Sequence, residues 1–97
     1  MTSGLLSLVY LEEIRKRCEA ATSGPWISYV EGRDHLAGDS FIKRGGERRK
    51  EDLYLTGGTV ADQDFIAHAR QDIPSLLEEV ERLRKRLKDH GFDDSDT

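Results

Sequence analysis

Five cations gather around two glycines in IKRGGERRK: Lys43, Arg44, Arg48, Arg49 and Lys50. Positive charge beside open backbone N–H groups is the chemistry of phosphate capture. The stretch TGGT adds Gly57, Gly58 and Thr59 at the start of a helix, where free N–H groups favour an anion. Arg44, Arg48, Arg49, Lys50, Gly57, Gly58 and Thr59 are therefore candidate ligands for a nucleotide or another phosphate. Neither stretch matches a P-loop or a dinucleotide fingerprint. A solvated hairpin tip and a plain strand-to-helix turn stand beside the phosphate reading, because charge runs are usually solvated.

The stretch EGRDHLAGDSF sets Glu31, Arg33, Asp34, His35, Asp39 and Ser40 between two expected strands. Loops carry binding more often than helices do. These six residues are the candidate contacts for a partner protein, and their acidic members suit a basic one. The alternative is a polar connection held by Asp side chains bonded to backbone N–H groups. Asp64 and His68 are i, i+4 neighbours, and with Asp34 and His35 they offer carboxylate and imidazole ligands to a metal. No recognised ligand spacing is present, so a solvated Asp64–His68 pair and no metal are expected. Nucleophilic catalysis needs a Ser or Cys beside a base. Cys18 falls on an apolar helix face and reads as a small core residue. Nothing places a histidine near Ser40, and Asp62 and Asp64, two apart on a helix, do not face each other. The expectation is a protein without catalytic residues or cofactor.

These residues must be positioned by a small scaffold. Ninety-seven residues make one domain. Such a chain buries somewhat over roughly 60% of its unfolded surface, so self-association can supply part of its stability. Hydrophobic residues are 36% and charged residues 35%, within reach of a folded domain. A net charge of -4 argues against a general nucleic-acid binder. One cysteine excludes an intramolecular disulfide and fits a reducing cytoplasm. GLLSLVYL is too short to span a bilayer and lacks signal-peptide flanks, so no membrane association is expected. The domain is read as residues 1–91, with an acidic disordered tail at 92–97.

Leu11, Ile14, Cys18 and Ala21 recur on one face of a first helix from Ser7 to Ala21, capped by Ser7 and ended by TSGP with Gly24 as a left-handed cap. WISYV, SFIKR and LYL read as three short strands joined by glycine turns, an antiparallel meander. Thr59 heads a short helix, with Asp62 in a capping-box-like position and Phe65, Ile66 and Ala69 as its apolar face. Asp72 then caps a new helix with Pro74 in its first turn, where a missing N–H costs nothing. The fold class is α+β: helix, three-stranded meander, short helix, and a long helix after a proline break. In that last helix Ile73, Leu76, Val80, Leu83 and Leu87 alternate steps of three and four, an a/d heptad. Glu78 with Arg82 and Glu81 with Lys85 are spaced as surface pairs. Glu79 and Arg84 take g and e positions suited to two parallel helices. Val80, Leu83 and Leu87 form either the seam of a homodimer or a stripe packed on the chain's own first helix.

EAATSGPW and ADQDFIAHARQDIPSLLEEVERLR resemble segments of small phage and prophage accessory proteins of the ead-like type. The matching positions are Ala21 to Trp26, Phe65 to Ala67 and Pro74 to Leu83, toward both ends of the chain and not in the sheet between. The resemblance implies a mobile-element origin and an accessory role, and it supplies no catalytic residue. The leading expectation is a non-enzymatic binding protein that neutralises or modulates a partner, such as a basic host or toxin protein, in an immunity or anti-defence role. The alternatives are a nucleotide-binding, sponge-like module using the basic glycine loop, and an adaptor that dimerises through the last helix.

Overall fold

The computed structural model describes residues 6–36, 38–45 and 52–91. It is an α+β protein with helix α1 (Leu8–Ala20), strands β1 (Ile27–Tyr29) and β2 (Phe41–Lys43), and helix α2 (Val60–Asp89). The basic residues Arg48, Arg49 and Lys50 and the tail at 92–97 lie outside the described residues. The chain divides into two compact units, Thr22–Asp72 and Met1–Ala21 with Ile73–Thr97. No described helix is long and apolar enough to cross a membrane.

In the unit Thr22–Asp72, β1 and β2 pair antiparallel with Ile27 opposite Lys43, Ser28 opposite Ile42 and Tyr29 opposite Phe41. The expected third strand is reduced to one bridge. Leu53 exchanges both backbone hydrogen bonds with Ile42 at 2.8 Å, and no further pair forms among the described residues. The cause is downstream: the chain bends at Thr56 and passes through Gly57 at φ 84, so the segment turns to α2 after one contact. The core is Val30, Phe41, Ile42 and Ala67, with the polar Gln63 buried among them.

The Thr59–Asp62 capping box is present. The Asp62 N–H donates to Thr59 Oγ1, and the Thr59 N–H donates to Asp62 Oδ2, both at 3.0 Å. The expected break at Pro74 is not. One helix runs for 30 residues with Pro74 inside it, and Asp72 is a helical residue rather than a cap. Proline deprives a single carbonyl, that of Arg70, of its helical donor. Starting a second helix instead would fix three residues for one bond. Good helix formers on both sides, from Ala67 to Gln71 and from Leu76 to Glu79, propagate the ladder past the gap. The apolar face also differs from expectation. Phe65 is 74% exposed, whereas Gln63 and Ala67 point into the core. Ala67 lets the helix approach the sheet closely, and Gln63 supplies donors that a phenylalanine lacks.

In the other unit, Ser7 caps α1 by accepting from the Tyr10 N–H at 3.0 Å. The helix ends in an extended Ala21, at φ -77 and ψ 154, and not in a left-handed Gly24. Leu11 and Leu77 are its buried side chains. Arg15 pairs with Glu81, and Arg84 donates to the Leu6 carbonyl at 2.6 Å. Glu81 therefore faces α1 instead of pairing with Lys85, which reaches Asp89 at 3.5 Å. Arg82 pairs with Glu79, not Glu78.

Candidate functional site

The best-defined polar assembly belongs to the unit Thr22–Asp72. It begins with a staple between residues 22–26 and α2. The Thr22 carbonyl accepts from Arg70 Nε at 2.8 Å and from Trp26 Nε1 at 3.0 Å. Gln71 treats Trp26 as a strand neighbour would. Its Oε1 accepts from the Trp26 N–H at 2.8 Å, and its Nε2 donates to the Trp26 carbonyl at 3.1 Å. Arg44 donates to Thr22 Oγ1 at 2.9 Å, so this cation of the basic run bonds the staple. Gly45 passes so close to the Ser23 carbonyl that a Cβ there would collide with backbone.

The loop after β1 is closed by its own bonds. Asp34 Oδ2 accepts from the Val30 N–H at 2.7 Å, and Gly32 donates to the His35 carbonyl at 2.7 Å. The Glu31 N–H donates to Ser40 Oγ at 3.0 Å. Arg33 lies over α2 and donates to Asp64 through both terminal nitrogens, at 2.8 and 3.0 Å. It also donates to Asp34 at 3.0 Å. This bidentate fork is the stronger form of ion pair. His35 sits among aromatic rings, with centroids 6.4 Å from Tyr29 and 5.5 Å from Phe41.

Three of the six candidate contacts, Arg33, Asp34 and His35, thus hold the loop's shape, and Ser40 ties its far end. Asp39 and Glu31 remain exposed at the surface. Between them in the chain stands Leu36, 85% exposed, the most exposed large apolar side chain among the described residues. Sequence reasoning passed over Leu36, Gln63 and Gln71. Gln63, Ala67 and Gln71 stand four apart along one helix face, a spacing that could have revealed the inward stripe.

The hydrogen bonds from Arg33 hold the Asp64 carboxyl down to about 2, with a smaller contribution from Ser28. They lower Asp34 in the same direction, together with the Val30 N–H. A depressed carboxylate stabilises the fold above its ordinary value of about 3.8 and loses that contribution as pH falls toward 2. Thermal melts should therefore show a fall in stability between about pH 4 and 2 that is smaller in Asp64→Asn. Identical pH profiles would show that the pair contributes nothing.

A groove of about 440 Å³ opens beside this loop, lined by Asp39, Ser40, Tyr54, Leu55, Gly58, Thr59, Val60 and Gln63. It brings Asp39 and Ser40 of the loop together with Gly58 and Thr59 of TGGT. Both glycines have structural reasons: Gly57 takes a positive φ, and a Cβ on Gly58 would meet the Leu55 side chain at 2.9 Å. The capping box has already satisfied the Thr59 and Asp62 N–H groups and put a carboxylate at the helix start. That geometry disfavours an added anion. Among the described residues no group of three His, Cys, Asp or Glu side chains comes together as a metal site. His68 bonds the Asp64 carbonyl through Nδ1 at 2.9 Å. In the other unit, Val80 is half-buried while Leu83 and Leu87 are exposed.

No family model, curated protein or solved structure matches this chain.

Proposed function

We propose that the chain is a small non-enzymatic binding protein that holds and modulates a basic partner protein, in the manner of an immunity or anti-defence factor. The observation that carries this reading is the loop at residues 30–40. The Arg33–Asp64 fork and the Asp34–Val30 bond pre-form its first half, residues 30–35, so less ordering entropy remains there to oppose binding. Its apolar Leu36 is exposed, and so are the acidic Glu31 and Asp39 of the same loop. An apolar anchor within a charged rim is the anatomy of a protein-binding site. The net charge of -4 would speed encounter with a basic target. The resemblance to phage accessory proteins agrees with such a role in a mobile element.

The test is capture from bacterial lysate at low and high salt with the intact chain, Leu36→Arg and Asp39→Lys. The expected result is a basic protein retained by the intact chain, more weakly at high salt. Losing an anchor residue should weaken retention by about tenfold, the effect of roughly 1.4 kcal/mol. Empty capture at low salt, or a captured protein indifferent to Leu36→Arg, would defeat the proposal.

A second reading, capture of a nucleotide, is favoured only by the groove that joins Ser40 to Gly58 and Thr59. A nucleotide present at 100 times its dissociation constant should add about 2.7 kcal/mol of stability. A nucleotide panel that leaves the melting temperature unchanged would remove it.

A further inference from the structure

The C-terminal part of α2 has two distinct faces. Leu77, Glu81 and Arg84 turn toward α1, where Leu11, Arg15 and the Leu6 carbonyl meet them. About a quarter-turn round the helix lies the a/d stripe. Leu76 is 64% exposed, Leu83 45% and Leu87 49%, and Val80 is half-buried between them. Helix α1 therefore packs beside the stripe and leaves it open.

We propose that a second copy of this chain covers the stripe, with its α2 antiparallel to the first. In that register Leu76 meets Leu87 of the second copy, and Val80 meets its Leu83. The two-fold axis repeats both pairs, giving four layers built from one self-complementary surface. The charges agree with the same register. Glu79 and Arg86 are successive g positions, and antiparallel helices bring g against g. Each Glu79 then faces the second copy's Arg86, and the two-fold axis makes the pair twice. Both side chains are exposed. The present bond of Glu79 to Arg82 is a surface pair of small value, so Glu79 can be redirected.

The parallel arrangement expected from the sequence depends on Glu79 meeting Arg84. In the structure Arg84 is half-buried on the α1 side and committed to the Leu6 carbonyl. A parallel register would also set Arg86 opposite Gly91, which has no side chain to pair. Four layers amount to two heptads, short for a permanent coiled coil. The dimer is therefore concentration-dependent.

Sedimentation of the full chain across a concentration series at low salt tests this. The mass should rise from one chain to two. Leu83→Glu with Leu87→Glu should hold it at one chain while leaving helical circular dichroism in place. Glu79→Arg alone and Arg86→Glu alone should each weaken association severalfold, because like charges then meet across the seam. Glu79→Arg with Arg86→Glu together should restore it. A single-chain mass at every concentration overturns the proposal, as does a dimer insensitive to the two leucine replacements. A doubly swapped chain that associates more weakly than either single variant overturns the antiparallel register.

Discussion

Gln63→Glu is expected to destabilise the unit Thr22–Asp72 strongly at neutral pH and to regain stability in mild acid. The Gln63 Nε2 donates to Ser28 Oγ at 2.9 Å, to the Tyr29 carbonyl at 3.1 Å and to the Phe41 carbonyl at 3.2 Å. These contacts tie α2 to both strands from inside the core. Glutamate is nearly the same shape, but its carboxylate donates nothing and would face oxygens. A buried charge without a partner costs about 3–5 kcal/mol. That is a large part of the roughly 5–15 kcal/mol available to an ordinary domain. Burial would raise the folded-state pKa of the introduced carboxyl above the usual glutamate value of about 4.3. The penalty is therefore absent below about pH 4 and grows as pH rises. Urea melts followed by circular dichroism at pH 4 and pH 7 would read it. Equal midpoints for the variant and the parent at pH 7 would show that the buried amide is not what holds the helix to the sheet.

The second large effect is expected from Ile42→Ala. Ile42 is 0% exposed, and its backbone bonds Leu53 on one side while its strand pairs with β1 on the other. No neighbour can close the space left at the centre of a three-way contact without moving the sheet. The loss should be about 3 kcal/mol, within the roughly 2–5 kcal/mol seen for such truncations. For a chain of this size that lowers the melting temperature by roughly 12–24 °C. Ile27→Ala in the same sheet, at an exposed position, should cost less than about 1 kcal/mol. A similar loss at both positions would mean that Ile42 is not the centre of the core.

Both effects depend on facts of unequal visibility in the sequence. The Ser7 cap and the Thr59–Asp62 box were readable because each uses residues three apart, whose bonds need only a helical turn. The pairing of WISYV with SFIKR followed from β-branched and aromatic residues separated by a glycine-containing loop. The apolar role of Phe65 was misread because periodicity ranks side chains by hydropathy. The sheet instead presented carbonyls that require a donor, and an amide meets that need better than a ring. LYL had the composition of a strand, but composition does not show that Gly57 turns the chain away after one bridge. At Pro74 the local rule favoured a break, and the intact ladder on either side outweighed one missing bond.

What the sequence determined by itself was local: the α+β class, the starts of both helices, the two paired strands and the heptad stripe of α2. Each depends on neighbours within a few residues, where geometry is nearly fixed by the backbone. The tertiary structure decided the rest. Arg33 meets Asp64 across 31 positions and Trp26 meets Gln71 across 45, so no spacing rule anticipates either contact. The Arg33–Asp64 contact, with the Asp34–Val30 bond, spends Arg33 and Asp34 on holding the loop's own shape and leaves Glu31, Leu36 and Asp39 exposed to solvent. The same holds for α2, where the packing of α1 on Leu77, Glu81 and Arg84 selects which side of the helix is covered and so which apolar stripe stays open.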